Sequence, residues 1–158
     1  MKRSIKIGFS FGLTSGIITT LGLMVGLHSS TESKFVVIGG ILTIAIADAF
    51  AESMGIHVAT ESENHISKKE VWESTFCTFL FKFLFTVMFI LPVLIFNLNQ
   101  AILISILIGF YLITILSIAI ARERGVEPWK MVLEHISISV IVIILAHFAG
   151  ELINHVFG

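Results

Sequence analysis

Five long apolar runs separated by short polar segments constrain this chain more than any other feature. A helix needs roughly 20 apolar residues to cross a hydrocarbon layer about 30 Å thick. Because unpaired backbone groups are costly in lipid, runs of this length cross it as helices. We therefore predict an all-α integral membrane bundle forming a single transmembrane domain over residues 1–158. The predicted spans cover about 7–27, 35–58, 75–96, 101–121 and 131–156.

The composition agrees with a membrane bundle. Hydrophobic residues make up 56% of the chain and charged residues 13%, whereas soluble domains average about 25% charged. A soluble fold of this length could not bury so much apolar surface. The single cysteine, Cys77, excludes an internal disulfide and a cysteine metal cage. We expect the lipid bilayer as the main partner, with no nucleic acid and no permanently bound cofactor.

Lysine and arginine set the predicted orientation, because cytoplasmic loops retain positive charge. Lys34 stands alone on one predicted side, and Lys82 falls inside the membrane. The other side holds eight basic residues: Lys2, Arg3, Lys6, Lys68, Lys69, Arg122, Arg124 and Lys130. We therefore expect the amino terminus and both longer loops in the cytoplasm, and the carboxyl terminus outside. The expected location is the plasma membrane of a prokaryote.

Asp48 and Glu52 lie four residues apart in the second apolar run, so both carboxylates project from one helical face. A charged residue at the membrane centre costs roughly 2.5 to 3.5 kcal/mol, so such residues mark an ion path or find a partner. Either the pair lines a cation path with Met54 and His57, or it pins helices together. Lys82 reaches a similar depth in the third run. It either meets the two carboxylates as a counter-ion or extends toward the cytoplasm.

The loop between the second and third spans is rich in side chains that bind metals through oxygen and nitrogen. It contains Glu61, Glu63, His65, Glu70 and Glu73. Hard and borderline divalent cations prefer such ligands. The second and third spans place this loop at the mouth of a path that passes Glu52. The loop is therefore either a site that collects metal or an ordinary solvated acidic segment.

The first span carries Gly12 and Gly16 on a face of small residues. Small residues let helices approach closely in lipid. This face therefore packs either against the protein's own helices or against a second subunit. On the same span, Ser15 and Thr19 either line a path or hydrogen-bond to their own backbone.

The fifth span has a polar stripe toward its outer end, where His147, Glu151 and His155 follow at intervals of four residues. An imidazole and a carboxylate on one helical face can share a divalent ion. Alternatively, residues this close to the end of a span simply reach headgroups and water. Both interpretations stay open from the sequence.

Two segments match patterns of a known transporter family. The family's first-span pattern is close to Asn-Asp-Gly-Leu-Val-Ser-Thr-x-x-Leu-Met-Val-Gly, and residues 14–26 here read TSGIITTLGLMVG. Its second-span Ser-Met signature is matched by Ser53 and Met54 within ADAFAESMG. On these segments the chain resembles the vacuolar iron transporter family, as a short member without the extended cytoplasmic metal-binding domain.

The resemblance implies a homodimer with the glycine-rich first spans at its interface. It also implies that Fe(II) or Mn(II) is the transported substrate, moves out of the cytosol and passes near Met54. The family's first-span aspartate falls on Ser15 in this chain. We infer that Asp48 and Glu52 supply the charge missing at that position.

Three classes of function compete for this chain. The leading one is a divalent metal transporter, coupled to protons, in which Asp48 and Glu52 alternate between proton and metal. A small organic cation is the other substrate class. The second function is a non-transporting membrane scaffold or accessory subunit, which the glycine face supports. An enzyme is not expected, because the chain contains no His-Glu-x-x-His motif and His147 with Glu151 is too little for hydrolysis.

Overall fold

The computed structural model describes residues 2–158 and forms six helices. They are α1 (Arg3–Thr31), α2 (Lys34–Glu61), α3 (Lys68–Val87), α4 (Ile90–Ile95), α5 (Leu98–Arg124) and α6 (Pro128–Phe157). No strand occurs within residues 2–158. Helices α1, α2, α5 and α6, and α3 together with α4, are long and apolar enough to cross a membrane. The all-α prediction and the prediction of five such helices are confirmed.

Polar caps set the ends of several helices, which therefore extend beyond the predicted spans. Helix α3 begins at Lys68 because Ser67 and Glu70 form a capping box, each accepting from the other's backbone N–H. Asn97 caps α5 by accepting from the Gln100 N–H at 3.0 Å. Helix α5 ends at Gly125, whose φ of 66° favours glycine.

A break separates α3 from α4 near the carboxyl-terminal end of the third span. Pro92 has no N–H to donate to the carbonyl of Met88 one turn earlier. The helix is interrupted between Val87 and Ile90, and the Leu91 N–H donates to the Met88 carbonyl at 3.2 Å. The interruption therefore lies about one turn before Pro92.

Helix α1 lies at the centre of the bundle and contacts α2, α3, α5 and α6. Its apolar segment is 50% buried, against 11% for that of α6 at the periphery. The apolar core surrounds the middle and the carboxyl-terminal half of α1 and includes Ile17, Leu21, Met24, Ile41, Phe89, Val93 and Ile113. The chain's first predicted span is thus its most enclosed helix.

The glycine face of α1 packs inside the chain. A Cβ added at Gly12 would lie 2.8 Å from the carbonyl oxygen of Thr78 and 2.9 Å from the backbone nitrogen of Lys82. Gly8 and Gly16 approach the backbone of α3 in the same way, while Gly26 faces α6. Because α3 and α6 cover these glycines, they are not free to form the subunit interface that the family resemblance implies.

Basic residues gather at one end of the bundle, which we call the basic end. It comprises the starts of α1, α3 and α6 and the ends of α2 and α5. Three ion pairs tie the start of α1 to the neighbouring segments: Lys2 with Glu73, Arg3 with Glu63 and Lys6 with Glu123. The placement of this end in the cytoplasm stays a prediction from charge.

Candidate functional site

Lys82 meets both intramembrane carboxylates. Its Nζ lies 2.5 Å from Asp48 Oδ2 and 2.5 Å from Glu52 Oε1. It also donates to Ser15 Oγ at 2.9 Å. The lysine side chain is 0% exposed, so it does not extend toward the basic end. We call these four residues the charge cluster.

The charge cluster lies at mid-depth in the bundle. Asp48 stands within a residue of the midpoint of α2, and Lys82 within a residue of the midpoint of the third span. Lys82 is 14 residues beyond the start of α3, or about 21 Å at 1.5 Å per residue. No end of a spanning helix is near the cluster, so its charges sit where desolvation costs most.

Helical periodicity positions each side chain of the cluster. On α3, Thr78, Lys82 and Thr86 recur every four residues and are all fully buried against the neighbouring helices. The glycines of α1 that let α3 approach, Gly12 and Gly16, flank the backbone of Lys82. Spacing of four likewise puts both carboxylates on one face of α2. The close α1–α3 contact therefore sets where the lysine stands.

Ser15 connects the lysine to one carboxylate. Its hydroxyl donates to Glu52 Oε1 at 2.6 Å while its oxygen accepts from Lys82. Thr19, by contrast, donates to the Ser15 carbonyl of its own helix at 2.8 Å. Of the two hydroxyls considered for a path on α1, Ser15 belongs to the cluster and Thr19 bonds to its own backbone.

The cluster carries one more negative than positive formal charge. Two ionised carboxylates face a single ammonium, which leaves a net charge of −1. Glu52 Oε2 is also buried and has no hydrogen-bond partner among the described residues. An uncompensated charge and an unpaired oxygen in a low-dielectric interior are both costly. The arrangement is satisfied when it takes up one proton or a cation.

The carboxylates are open to one side of the bundle. Asp48 and Glu52 retain 34% and 23% exposure, whereas Lys82 has none. Beside them runs an exposed face of α2 made of small residues, which we call the α2 stripe: Gly39, Thr43, Ala47, Ala51, Gly55 and Ala59. A Cβ at Gly39 or Gly55 would meet nothing within 4 Å in the described residues. The cluster is therefore closed by α1 and α3 and accessible past α2.

Met54 and His57 do not join the charge cluster. Met54 is 56% exposed on the outer face of α2. His57 Nδ1 lies 2.9 Å from Thr75 Oγ1, and because that hydroxyl donates to the Val71 carbonyl, the ring nitrogen is the donor. Both residues follow Glu52 toward the basic end, but spacings of two and five residues point their side chains away from the face of α2 that carries Glu52.

Most glutamates of the acidic loop already have partners. Glu63 pairs with Arg3 at 3.0 Å, Glu73 accepts from Ser4 at 2.8 Å, and Glu70 caps α3. Glu61 lies 4.0 Å from His57 Nε2. Within residues 2–158 no group of three or more histidine, cysteine or acidic side chains is arranged to hold a metal ion. The loop glutamates and the membrane carboxylates thus do not converge on one centre.

A small polar cavity lies between the start of α1, the end of α2 and the start of α3. Its volume is about 40 Å³, and its lining includes Ser4, Thr60, His65, Glu70 and Ser74. A water needs roughly 10–15 Å³ measured in this way, so the cavity has room for water. Ser74 lies two turns of α3 before Lys82, on the same buried face. The cavity therefore ends about two turns of α3 short of the cluster, with buried Thr78 between them.

His147 and Glu151 lie at the opposite end of the bundle, far from the charge cluster. His147 Nδ1 is 2.7 Å from Ser29 Oγ, and its Nε2 is 3.4 Å from Glu151 Oε1. The sequence analysis did not single out Ser29 or the neighbouring His28. The available sequence signal was that both residues follow the end of the first predicted span, on the side where the polar stripe of the fifth span lies.

No protein-family model matches the chain, and no curated protein is similar to it. The functional argument therefore depends on the site itself. A buried ammonium clamped by two partly accessible carboxylates can hold a counter-ion, exchange a proton or bind a cation from the open side.

Proposed function

We propose that the protein is a multi-pass membrane transporter of divalent cations. Fe(II) or Mn(II) is the transported substrate, moves out of the cytosol and exchanges for protons at the charge cluster. The observation that carries the proposal is the imbalance of that cluster, in which Lys82 neutralises only one of two mid-membrane carboxylates. An ion pair that only holds helices together needs no excess negative charge. An exchange site does, because it must bind a mobile positive charge.

Charge balance suggests how the exchange proceeds. Without metal, the site is neutral when Lys82 is charged and one carboxylate holds a proton. With a divalent cation between Asp48 and Glu52, neutrality requires that the carboxylate proton leaves and that Lys82 loses its proton. A cycle that stays neutral at the cluster therefore exchanges one divalent cation for two protons, and Lys82 is the counter-ion of the empty site.

The route in this proposal follows the accessible side of α2. Met54 and His57 provide a thioether and an imidazole between the basic end and Glu52, and borderline cations accept such ligands. The loop residues Glu61, Glu63, Glu70 and Glu73 attract cations to the mouth by charge, while Lys2 and Arg3 compete for two of them. We place the basic end in the cytoplasm of a prokaryotic cell.

A homodimer is part of the proposal, but with its contact on the α2 stripe. A row of small residues permits close helix contact in lipid, and a twofold axis pairs a surface with itself. The stripe would then shield Asp48 and Glu52 from lipid with a second copy. This placement replaces the first-span interface that the resemblance implies.

The decisive experiment measures Mn(II) and Fe(II) uptake into proteoliposomes under an imposed proton gradient. The wild type is compared with the double variant Asp48→Asn, Glu52→Gln, and with Glu134→Gln as a matched change of an exposed carboxylate on α6. Uptake that is lost in the double variant and retained in Glu134→Gln supports the proposal. Equal uptake in all three folded proteins, or none in the wild type, contradicts it.

A second candidate is a non-transporting membrane scaffold or accessory subunit. It is favoured by the α2 stripe, which offers a contact surface, and by the loop glutamates, which are already bound within the chain. In that case a different membrane protein covers the stripe. Purification in mild detergent of a stoichiometric partner, with no cation flux by the isolated chain, would favour it over transport.

A further inference from the structure

The end of the bundle opposite the basic end contains a second polar region. A cleft lies there between the final turns of α1 and α6, lined by His28, Ser29, Glu32, His147, Glu151 and His155. Three imidazoles and two carboxylates thus face one space. Both helices end at this face, so their partial negative charges add to the attraction for a cation.

His147 and Glu151 are spaced like two ligands of one metal ion. Their Nε2 and Oε1 atoms are 3.4 Å apart, and the pair makes no hydrogen bond. A nitrogen and an oxygen that each bind a cation at ~2.1 Å with a tetrahedral angle between them are about 3.4 Å apart. The spacing therefore accommodates a small cation between them without movement of the helix.

Ser29 holds the imidazole in the orientation that such a site needs. Its hydroxyl lies 2.7 Å from His147 Nδ1, on the side of the ring away from Glu151. Metal-bound histidines commonly fix the ring through a hydrogen bond at the other nitrogen. The contact between α1 and α6 thus orients Nε2 toward the carboxylate.

Further ligands are within reach of side-chain rotation. His155 follows Glu151 by one turn of α6 and lines the same cleft. His28 faces it from α1, and its Nδ1 is buried without a hydrogen-bond partner among the described residues. Since no three of these side chains are already arranged around one point, His147 and Glu151 form the anchor, and a third ligand closes on binding.

We propose that this cleft is a binding site for a borderline first-row divalent cation, anchored by His147 and Glu151. Imidazole nitrogen combined with carboxylate oxygen suits Zn(II) and its neighbours in the first transition row. The proposal does not rest on transport, because it concerns equilibrium binding at a surface cleft. Failure of the flux experiment would leave it intact.

The test is calorimetric titration of Zn(II) into the full chain in detergent. We expect binding by the wild type and at least a tenfold loss of affinity in His147→Ala and in Glu151→Gln. Ser29→Ala, which removes only the orienting hydroxyl, should weaken binding by roughly tenfold. His135→Ala removes an imidazole of α6 that contacts Ser117 outside the cleft, and it should bind like the wild type.

One further variant and a second probe separate this site from the charge cluster. The double variant Asp48→Asn, Glu52→Gln should bind Zn(II) at the cleft with unchanged affinity. Co(II) should give visible d–d absorption in the wild type that disappears in His147→Ala, provided that both elute as folded protein. Unchanged Zn(II) affinity in folded His147→Ala, or loss of all binding in the charge-cluster variant, would overturn the assignment.

Discussion

Helices α1 and α2 both carry small residues at intervals of four, yet the two faces have opposite surroundings. Gly8 and Gly12 of α1 lie against the backbone of α3, where an added Cβ would come as close as 2.8 Å to backbone atoms. The α2 stripe is exposed, and a carbon added at Gly55 would meet no atom of residues 2–158 within 4 Å. The charge cluster sits between these faces, held by one and open beside the other. Spacing thus indicates that a face can pack closely, but it does not identify the partner.

The largest expected effect comes from removing the ammonium of Lys82, through which α3 pairs with both carboxylates of α2. In Lys82→Met, both carboxylates of α2 lose their only cation, and breaking a buried ion pair costs ~3–5 kcal/mol. We expect a loss of that order in the free energy of unfolding in detergent at neutral pH. Combining it with Asp48→Asn and Glu52→Gln should restore most of the stability. A folded Lys82→Met with wild-type stability would show that the ion pairs do not stabilise the contact between α2 and α3.

The next largest effect compares the glycine face of α1 with the α2 stripe, through the same glycine-to-alanine substitution on each. Gly12→Ala places its Cβ against backbone atoms of Thr78 and Lys82, and such overpacking costs ~1–3 kcal/mol. Gly55→Ala enters open space and should change monomer stability by less than ~0.5 kcal/mol. Thermal unfolding of both variants measures the contrast. Equal losses would mean that the α2 stripe is as tightly covered as the glycine face of α1.

A smaller loss of stability is expected from removing the Ser15 hydroxyl, which connects α1 to Glu52 of α2 and Lys82 of α3. Ser15→Ala removes a donor to Glu52 and an acceptor for Lys82, and an intramolecular hydrogen bond contributes about 1 kcal/mol net. Ser15→Thr keeps the hydroxyl and serves as the control. We expect a loss of ~1–2 kcal/mol in the alanine variant only, measured by the same unfolding assay. If Ser15→Ala leaves the free energy of unfolding unchanged, the carboxylates alone position Lys82.

The smallest effect on stability is expected from a cysteine placed in the α2 stripe, where the readout is assembly into a dimer. In a Cys77→Ser background, Ala51→Cys should form an intermolecular disulfide on mild oxidation if a second copy covers the stripe. Ile138→Cys, an exposed position on α6, should not. Gel analysis of oxidised membranes detects the linked species. Equal crosslinking at both positions would indicate random collision and remove the support for a dimer through α2.

The sequence predicted the fold because long apolar runs leave a chain few alternatives in lipid. Asp48, Glu52 and Lys82 were found for the same reason, since a charged residue in such a run is conspicuous. Their convergence was one of two open outcomes. Periodicity placed both carboxylates on one face of α2, but whether that face met Lys82 depended on the rotation of α2 relative to α3.

Other parts of the site lay beyond sequence reasoning. Glu63 and Glu73 read as free loop ligands because their partners, Arg3 and Lys2, are some 60 to 70 residues away in the chain. The face of Gly12 was equally compatible with intramolecular and subunit contacts, because both require small residues. Only the three-dimensional packing separates such cases, since it decides which distant side chains share a space.

The central position of α1 has a consequence for the order in which the bundle is made. Among the described helices, α1 is synthesised first, and the helices that cover it all follow. The last of them, α6, ends 126 residues after Thr31. At roughly 5–20 residues per second, the face of α1 that receives α6 waits about ten seconds in the bilayer. Gly22, Gly26 and Ser29, which α6 contacts in the folded bundle, lack that contact during this time. Among the helices of residues 2–158, the first one synthesised is therefore the last one to be fully enclosed.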